Sequence, residues 1–548
     1  MLGFSSTQSR TLHLTWIAFF LTFVAWFNMA PFNTTIINQL GLTQTEVNIL
    51  MICNVVLTIP ARIVIGSLTD QYGPQKVFSG LLLFSGLVCI AFSLCKGFEG
   101  LLITRLLMGI VGGGFVVGIK MIAEWFPHNK MGLAQGIYAG WGNFGAAAAA
   151  FSLPLIALPF SIDIGWRIAT AFSGVLCIIW AYVYFRFCPD IPERSHGFEM
   201  AIHGTIKVYS RKDLLLQSLV LLPIYGSLAL FVWKLAGHPF TLIPSSLSWL
   251  LISGLLGIFA IQVIRCWQIN LPDIKQASPD YEKYSFSQIA ILSMVYSLTF
   301  GSELAIVSIF PQFLETTFSL SVGMAGMLGA SYAFMNLIAR PGGGWASDRF
   351  GRKQILILLV LCGMVTHGLI GEINSTWQLP NAIALVLIGS IFFKAGNGAC
   401  FAAVPLVKKS LTGQLAGLTG AYGSVGAVCF LTLYSFVSPQ EFFKIIAAYA
   451  FLVFLALLFL KPFPSPQKTN TKRSHFSNGI HLWPSRPTKC WQINPVRRTD
   501  THDSTIGILR FHHHRTEQRH RTCSRQTSGH HHPLCPNKEN RSHHDGVR

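Results

Sequence analysis

The chain has 548 residues, of which 51% are hydrophobic and only 11% are charged, and its formal net charge is +19. Soluble proteins carry about 25% charged residues, so this composition excludes an ordinary soluble domain and predicts an integral membrane protein. Apolar runs of about 20 residues recur from Leu14 to Leu460, far more than a signal peptide followed by a soluble domain would contain.

The apolar runs predict fourteen helices in two blocks of six with an extra pair between them. The first block, within residues 1–190, has runs at about 12–36, 45–69, 75–95, 100–124, 131–159 and 165–187. A central linker, residues 191–286, adds runs at about 214–235 and 242–265. The second block, within residues 287–461, has runs at about 287–314, 321–346, 354–373, 381–407, 413–437 and 442–461. We expect the central pair to cross the membrane out and back; the alternative is a pair of re-entrant or surface helices.

The remaining segment, residues 462–548, differs in composition from the rest of the chain. It holds 12 of the 18 histidines, few aliphatic residues and about half of the excess positive charge. Its cysteine and histidine spacing matches no zinc finger, so we predict a disordered tail without a metal site.

Two stretches of the first half recur in the second half. "ARIVIGSLTDQYG" at 61–73 aligns with "ARPGGGWASDRFG" at 339–351, and "GLAQGIYAGWGNFGA" at 132–146 aligns with "GQLAGLTGAYGSVGA" at 413–427. The two offsets, 278 and 281, are nearly equal, which indicates an internal duplication. Such duplication is typical of a carrier whose substrate site lies near the membrane midplane.

Positive charges in the short loops predict the orientation of the helices. All basic loops fall on one side if both termini are cytoplasmic, which predicts a multi-pass protein of the plasma (inner) membrane. The basic residues of these loops and of the linker are Lys130, Arg349, Arg352, Lys353, Lys408, Lys409, Arg186, Arg194, Lys207, Arg211 and Lys212.

The glycine–aspartate motifs "GSLTDQYGPQK" and "GWASDRFGRKQ" occupy equivalent loops of the two halves. Their glycines permit close helix approach, and we expect their aspartates to cap or pair at the cytoplasmic ends and hold a gate shut. The first copy lacks the basic residue, because Gln71 stands in its place. The alternative is an ordinary polar turn. The predicted gate residues are Gly66, Asp70, Gly73, Gly344, Asp348, Arg349, Gly351 and Arg352.

Arg62 and Arg340 lie inside apolar runs, each eight residues before a motif aspartate. That spacing is about 12 Å of helix, which places both guanidinium groups near the midplane. Charged groups there face a cavity or a partner. Glu303 is the main acid at matching depth and cannot neutralise both arginines, so the pair predicts an external anion. The alternative is a structural ion pair.

Glycines on two helices narrow the space around the predicted anion. They include Gly142 beside Asn143 in the first half and Gly423 in the second half. A planar guanidinium suits flat oxyanions such as carboxylate, nitrate and nitrite. Tyr296 and Phe300, one helical turn apart, are candidates for the wall of the slot, although packing is an equally ordinary role for such a pair.

The loop motifs match the signature of the major facilitator superfamily, and "WFPHNKMGLAQGIYAGWGNFGA" closely resembles the helix 5 signature of its nitrate/nitrite porter family. "FKAGNGACFAAVPLV" resembles the counterpart in the second half, and the extra pair looks most like cyanobacterial nitrate permeases. The resemblance implies an all-α polytopic protein with the major facilitator fold, in two pseudo-symmetric six-helix halves. It further implies that the substrate is held by five residues, Arg62, Arg340, Asn143, Tyr296 and Phe300. Ser424 replaces the asparagine in the second repeat, so the slot is asymmetric.

We therefore expect a nitrate/nitrite transporter for nitrate assimilation that works by alternating access, with uptake coupled to protons or to anion exchange. Glu303, Lys120 and Lys394 are candidates for the coupling, although Lys120 more simply pairs with Glu124. The expected protein is a monomer and not an enzyme, with no cofactor, metal or nucleic-acid partner. Alternatives are a carrier of formate or oxalate and a nitrate sensor that does not transport.

Overall fold

The computed structural model describes residues 4–189, 205–237, 243–275, 284–320 and 322–463, and these residues are almost entirely helical. By its internal contacts the chain divides at Thr471, and every described residue belongs to the first unit, Met1–Thr471. The prediction of a disordered tail concerns residues that lie outside the described ranges, apart from Pro462 and Phe463.

The helices follow one another with short connections through both predicted halves. The first half contains α1 (Ser6–Trp26), α2 (Asn33–Leu40), α3 (Gln44–Val56), α4 (Thr58–Tyr72), α5 (Pro74–Ser93), α6 (Phe98–Gly109), α7 (Gly114–Trp125), α8 (Met131–Asn143), α9 (Gly145–Ala157) and α10 (Ile162–Phe187). The linker contains α11 (Arg211–Ala236) and α12 (Ser245–Lys275). The second half contains α13 (Phe286–Phe318), α14 (Val322–Phe334), α15 (Asn336–Phe350), α16 (Arg352–Ile370), α17 (Leu379–Val407), α18 (Thr412–Tyr434) and α19 (Pro439–Leu458).

Twelve helical segments of the described chain are long and apolar enough to cross a membrane, by length and composition alone. They include both linker helices but neither α8–α9 nor α14–α15, whose pieces are 13 to 15 residues long. One residue interrupts each of the predicted helices 131–159 and 321–346: α8 and α9 meet at Phe144, and α14 and α15 meet at Met335, and both residues keep helical dihedral angles. If α8–α9 and α14–α15 are each counted as one membrane-spanning unit, the described helices account for the fourteen predicted runs.

A further interruption divides the predicted helix 45–69. Helix α3 ends at Val56, and α4 begins at Thr58. Pro60 explains this break, because proline has no N–H to donate to the carbonyl of Val56, and its ring clashes with that carbonyl. The corresponding junction at Met335 stands at the offset of the internal repeat, so the duplicated helices share their point of interruption.

The linker helices pack against the second half of the molecule. Helix α11 contacts α13 and α18, and the Tyr422 hydroxyl of α18 donates a 2.7 Å hydrogen bond to the carbonyl of Val220. Helix α12 packs mainly on α11 and leaves a row of large apolar side chains exposed, including Trp249, Leu250 and Ile258. Such a surface suits contact with lipid, but the crossing of the membrane by this pair stays a prediction.

The two halves meet through glycines where α4 packs on α18 and α8 packs on α15. A Cβ on Gly66 would overlap the backbone of Gly413, and one on Gly344 would overlap the backbone of Gly132. Only glycine lets the backbones approach so closely, as at many helix contacts in membranes. We call the region around the C-terminal ends of α4 and α15 the aspartate end.

We predict that Gly344→Val opens the aspartate end, because the valine side chain cannot fit against Gly132. Overpacking costs about 1–3 kcal/mol, which shifts the closed–open equilibrium about fivefold or more. The measurement is the maleimide labelling rate of a cysteine placed at the buried Gln414, after replacement of the native cysteines. Gly80→Val on α5 is the matched control, because a Cβ there meets open space. An unchanged labelling rate in Gly344→Val would contradict the prediction.

Candidate anion site between the two halves

Arg62 is held in the protein interior by backbone carbonyls. Its side chain is 1% exposed, its Nε donates to the carbonyl of Gly112 at 3.2 Å, and one terminal nitrogen donates to the carbonyl of Gly420 at 2.5 Å. The first carbonyl belongs to a 3-10 turn, Ile110–Gly113, which lies between α6 and α7. Within the described residues Arg62 has no acidic partner, so its charge is offset only by these dipoles and by nearby aromatic rings.

Arg340 is equally buried but has an acidic partner. One terminal nitrogen lies 3.0 Å from a carboxylate oxygen of Glu303, and its Nε donates to the side chain of Asn336 at 2.8 Å. Glu303 therefore pairs with one of the two arginines, and the structural ion pair given as the alternative is present at Arg340 but not, within the described residues, at Arg62. Asn336 of α15 and Asn397 of α17 also donate to the Glu303 carboxylate and keep it on the Arg340 side.

An aromatic wall connects the two guanidinium groups. The central carbon of Arg62 and that of Arg340 each lie 5.3 Å from the centroid of the Phe300 ring. The Tyr296 ring stacks on Phe300 at 4.9 Å, and Phe115 lies parallel to Tyr296 at 6.1 Å. Cations are attracted to the faces of such rings. The ring contacts therefore help to position both arginines without using any N–H group of the guanidinium as a hydrogen-bond donor.

The centre carries more positive than negative charge. Lys394, on α17, is completely buried and lies 3.7 Å from Glu303, the same carboxylate that pairs with Arg340. Among the described residues, the centre thus holds three cationic side chains, Arg62, Arg340 and Lys394, and one carboxylate, Glu303, which pairs with the last two. Two uncompensated positive charges in an apolar interior favour the binding of an anion from outside.

Several predicted residues occupy other surroundings. The Asn143 amide donates to the carbonyl of Ala139 on its own helix at 2.6 Å, and no hydrogen bond of the described residues joins it to either arginine. The Cα of Gly142 faces the Phe19 ring, where no side chain would fit. Gly423, in contrast, lies against the rings of Tyr296 and Phe300 and leaves room for the aromatic wall.

Two aromatic rings of the wall, and the backbone carbonyls that accept from Arg62, were not predicted from the sequence. Phe115 lies in the parallel stack, and Phe401 contacts Tyr296 edge-on with ring centroids 4.7 Å apart. The glycine cluster "GIVGGG" at 109–114 was the available signal, since glycines favour a break in a helix. Nothing in the sequence pattern pointed to the two rings.

At the aspartate end each motif aspartate caps a helix of the opposite half. Asp70 accepts from the backbone N–H groups of Gly413 at 3.0 Å and Gln414 at 2.8 Å, at the start of α18. Asp348 accepts from the N–H of Leu133 at 2.9 Å, at the start of α8. Carboxylates at helix N-termini satisfy free donors and the positive end of the helix dipole. The two caps form what we call the latch.

A different cation accompanies each aspartate of the latch. Arg352, the first residue of α16, lies 2.9 Å from Asp348 near the end of α15, whereas Asp70 lies 3.1 Å from Lys120 of α7. Lys120 thus supplies the charge that the first motif lacks, and it also pairs with Glu124 at 3.1 Å, as the simpler interpretation predicted. It lies in the latch and not beside the central arginines.

The other motif residues have structural positions. Gly73 and Gly351 end α4 and α15 with φ of 88° and 99°, a backbone conformation that favours glycine. Arg349 is exposed and lies over the rings of Trp345 and Phe350, outside the latch.

Two bundles related by an internal repeat, with a buried cationic centre and a latch between them, define a two-half membrane carrier. The sequence matches the Major Facilitator Superfamily over residues 15–279 and 289–510. It is 43% identical to the nitrate/nitrite transporter NrtP of Nostoc punctiforme, over 83% of this chain and 93% of the relative. It is 40% identical to NrtP of Picosynechococcus sp., over 77% of this chain and 84% of that protein.

Solved structures agree on the fold. The proton:xylose symporter XylE bound to 6-bromo-6-deoxy-D-glucose aligns with a TM-score of 0.56 and 15% identity, over 83% of this chain and 96% of XylE. The chain belongs to the Major Facilitator Superfamily and, within it, to the nitrate/nitrite transporter family. The expected fold class, a multi-pass all-α protein with the major facilitator fold, is confirmed.

We predict that Lys120→Met destabilises the latch strongly. It leaves the buried carboxylate of Asp70 without its cation, and breaking a buried ion pair costs about 3–5 kcal/mol. The measurement is the thermal unfolding midpoint of the purified protein in detergent. Lys444→Met is the matched control, because its pair with Glu372 is half-exposed and contributes about 0–1 kcal/mol. Equal midpoints for the two variants would refute the prediction.

Proposed function

We propose that this protein transports nitrate and nitrite across the membrane and holds the anion between Arg62 and Arg340. The observation that carries the proposal is the buried centre, in which both guanidinium groups border one aromatic ring and positive charge exceeds negative charge. The relatives named as nitrate/nitrite transporters support this choice of anion.

The donors at the centre suit a small planar oxyanion. Arg62 uses two of its N–H groups on carbonyls, and Arg340 uses two on Asn336 and Glu303, so each guanidinium keeps further donors. The hydroxyl of Tyr296 is buried without a hydrogen-bond partner in the described structure. Planar N–H forks and one hydroxyl match the flat oxygen arrangement of nitrate and nitrite.

The charge of the anion that moves through this centre determines the energetics of transport. Inward movement of an anion opposes the membrane potential by about 2.3 kcal/mol per 100 mV. Net uptake for assimilation therefore needs a second driving force, either protons carried with the anion or exchange against another anion. Alternating access requires the latch to open and close, because it joins the two halves at one end.

The orientation completes the proposal. We propose that both termini and the aspartate end lie on the cytoplasmic side of the plasma (inner) membrane, with the structure closed toward the cytoplasm; the positive charges of the loops support this orientation. We further propose that the halves 1–190 and 287–461 move against each other as a monomer, that the linker 191–286 crosses the membrane twice, and that the tail 462–548 has no part in transport.

We predict that Arg62→Lys and Arg340→Lys each weaken nitrate transport by about 10–100-fold. Lysine loses the planar fork and keeps only a point charge, and charge-assisted hydrogen bonds are worth about 1.5–3 kcal/mol. The measurement is nitrate–nitrite counterflow in proteoliposomes. Arg265→Lys, exposed on α12, is the matched control. A near-normal affinity for nitrate in either central variant would contradict the two-arginine site. Stronger competition by formate or oxalate than by nitrite would instead indicate a carboxylate carrier.

We predict a smaller effect for Tyr296→Phe, because the ring stack with Phe300 remains and only the unpartnered hydroxyl is lost. One neutral hydrogen bond contributes about 0.5–1.5 kcal/mol, so the apparent affinity for nitrate should fall by about 2–10-fold. The same counterflow assay measures it. Tyr182→Phe, exposed on α10, is the control. An affinity equal to wild type would show that the hydroxyl does not donate to the anion.

A further inference from the structure

A groove on the outer face of the first half lies between α4 and α5. Its volume is about 460 Å³, within the range of about 300–1,000 Å³ that is typical of ligand pockets. Apolar side chains of α4, α5 and the 3-10 turn before α7 form its lining, among them Ile65, Leu81, Phe84 and Ile110. Both helices belong to segments that are long and apolar enough to cross a membrane, so the groove faces the hydrocarbon layer.

The end of the groove next to the aspartate end is polar. Tyr72, the last residue of α4, and Lys76, in the first turn of α5, line it there, and both side chains are exposed. From Lys76 to Phe84 the groove follows α5 for eight residues, which is about 12 Å of helix. The polar end therefore lies at the membrane interface, where tyrosine is common and lysine extends toward the headgroups.

The ammonium group of Lys76 has neither a carboxylate nor a hydrogen-bond acceptor within the part of the chain that the structure describes. Other lysines at the aspartate end do have partners. Lys353 donates to the carbonyl of Leu458 at 2.8 Å. Lys409 lies 3.2 Å from Glu124. The first turn of α5 contains no acidic residue, so the positive charge of Lys76 there opposes the helix dipole until an anion offsets it.

Neighbouring contacts fix the position of Lys76 at the groove. The Gln75 side chain donates to the carbonyls of Phe185 at 2.8 Å and Cys188 at 2.7 Å, at the end of α10. This anchors the start of α5 on the side of α10. Lys76 is the last residue of the first motif, "GSLTDQYGPQK", and takes no part in the latch, so the motif contains a cation that the latch does not use.

We propose that the groove binds an anionic phospholipid, with one acyl chain between α4 and α5 and with the phosphate at Lys76 and Tyr72. The apolar lining suits the hydrocarbon chain. The ammonium group suits the phosphate, because lysine binds phosphate as a point charge and basic sites between membrane helices bind acidic headgroups. The phenol hydroxyl adds a donor. These residues are not those of the anion site, so the inference does not depend on the proposed function.

The test measures lipid binding to the purified full-length protein in detergent, by native mass spectrometry and by the shift of the thermal unfolding midpoint on addition of lipid. The wild-type protein should bind phosphatidylglycerol about fivefold more tightly than phosphatidylcholine, which is the effect of one lysine near an anionic headgroup. Lys76→Gln should lose this preference and keep its binding of phosphatidylcholine. Lys96→Gln, exposed beyond the other end of α5, is the matched control.

A second variant tests the apolar part of the groove. Gly80 lines it, and a Cβ there would meet open space. Gly80→Leu therefore fills the groove without a clash. Displacing about two methylene groups of the acyl chain should weaken the binding of both lipids about tenfold. Gly226→Leu on α11, where a Cβ also meets open space, is the matched control. An unfolding midpoint without lipid close to that of the wild type shows that a variant is folded.

Each alternative has a distinct outcome. Equal binding of the two lipids by the wild-type protein would overturn the inference, because the groove would then hold bulk lipid only. A phosphatidylglycerol preference retained by Lys76→Gln, or lipid binding unchanged in Gly80→Leu, would overturn it as well. Stabilisation by soluble glycerol phosphate equal to that by phosphatidylglycerol would show a site for free phosphate and not for lipid. All these outcomes leave the proposed transport of nitrate untouched.

Discussion

Burying guanidinium groups near the middle of a membrane is the constraint on which the rest of this structure depends. Each such charge costs about 2.5–3.5 kcal/mol by insertion scales, so it must be surrounded by dipoles or counter-charges. Arg62 donates to two backbone carbonyls, one of which lies in the 3-10 turn before α7. Arg340 receives Glu303 and an asparagine side chain. Neither arginine is fully neutralised, and that remaining charge is what an anion can bind.

The duplicated halves meet the same constraint with different residues. The arginine of the first half relies on backbone dipoles and aromatic rings, whereas that of the second half joins an ion-paired network with Lys394. The two halves of the latch also differ in the source of the cation. In the second half Arg352 follows Asp348 four residues later in the sequence, whereas in the first half Lys120 of α7 pairs with Asp70 of α4. Duplication thus preserved where charge is placed but not which residue supplies it.

Hydropathy and the repeat were enough to predict the helix order and the two arginines, but not the continuity of the helices. A run such as 131–159 is predominantly apolar on both sides of Phe144, and hydropathy does not report that the helix is interrupted at that residue. The sequence also could not predict which charged side chains form ion pairs. Glu303 and Arg340 are far apart in the chain, and only the packing of α13 decides which of the two arginines the carboxylate reaches.

By itself the sequence determined that the protein lies in a membrane, that its halves repeat, and that two charges lie at matching depth. These properties depend on residue type and spacing along a helix, which are local. Only the tertiary structure decided that Asn143 turns to its own helix, that Phe115 joins the aromatic wall, and that Lys394 stands beside an already satisfied carboxylate. Such outcomes depend on how distant helices pack, because contacts of a few ångströms are set by neighbours that the chain order does not reveal.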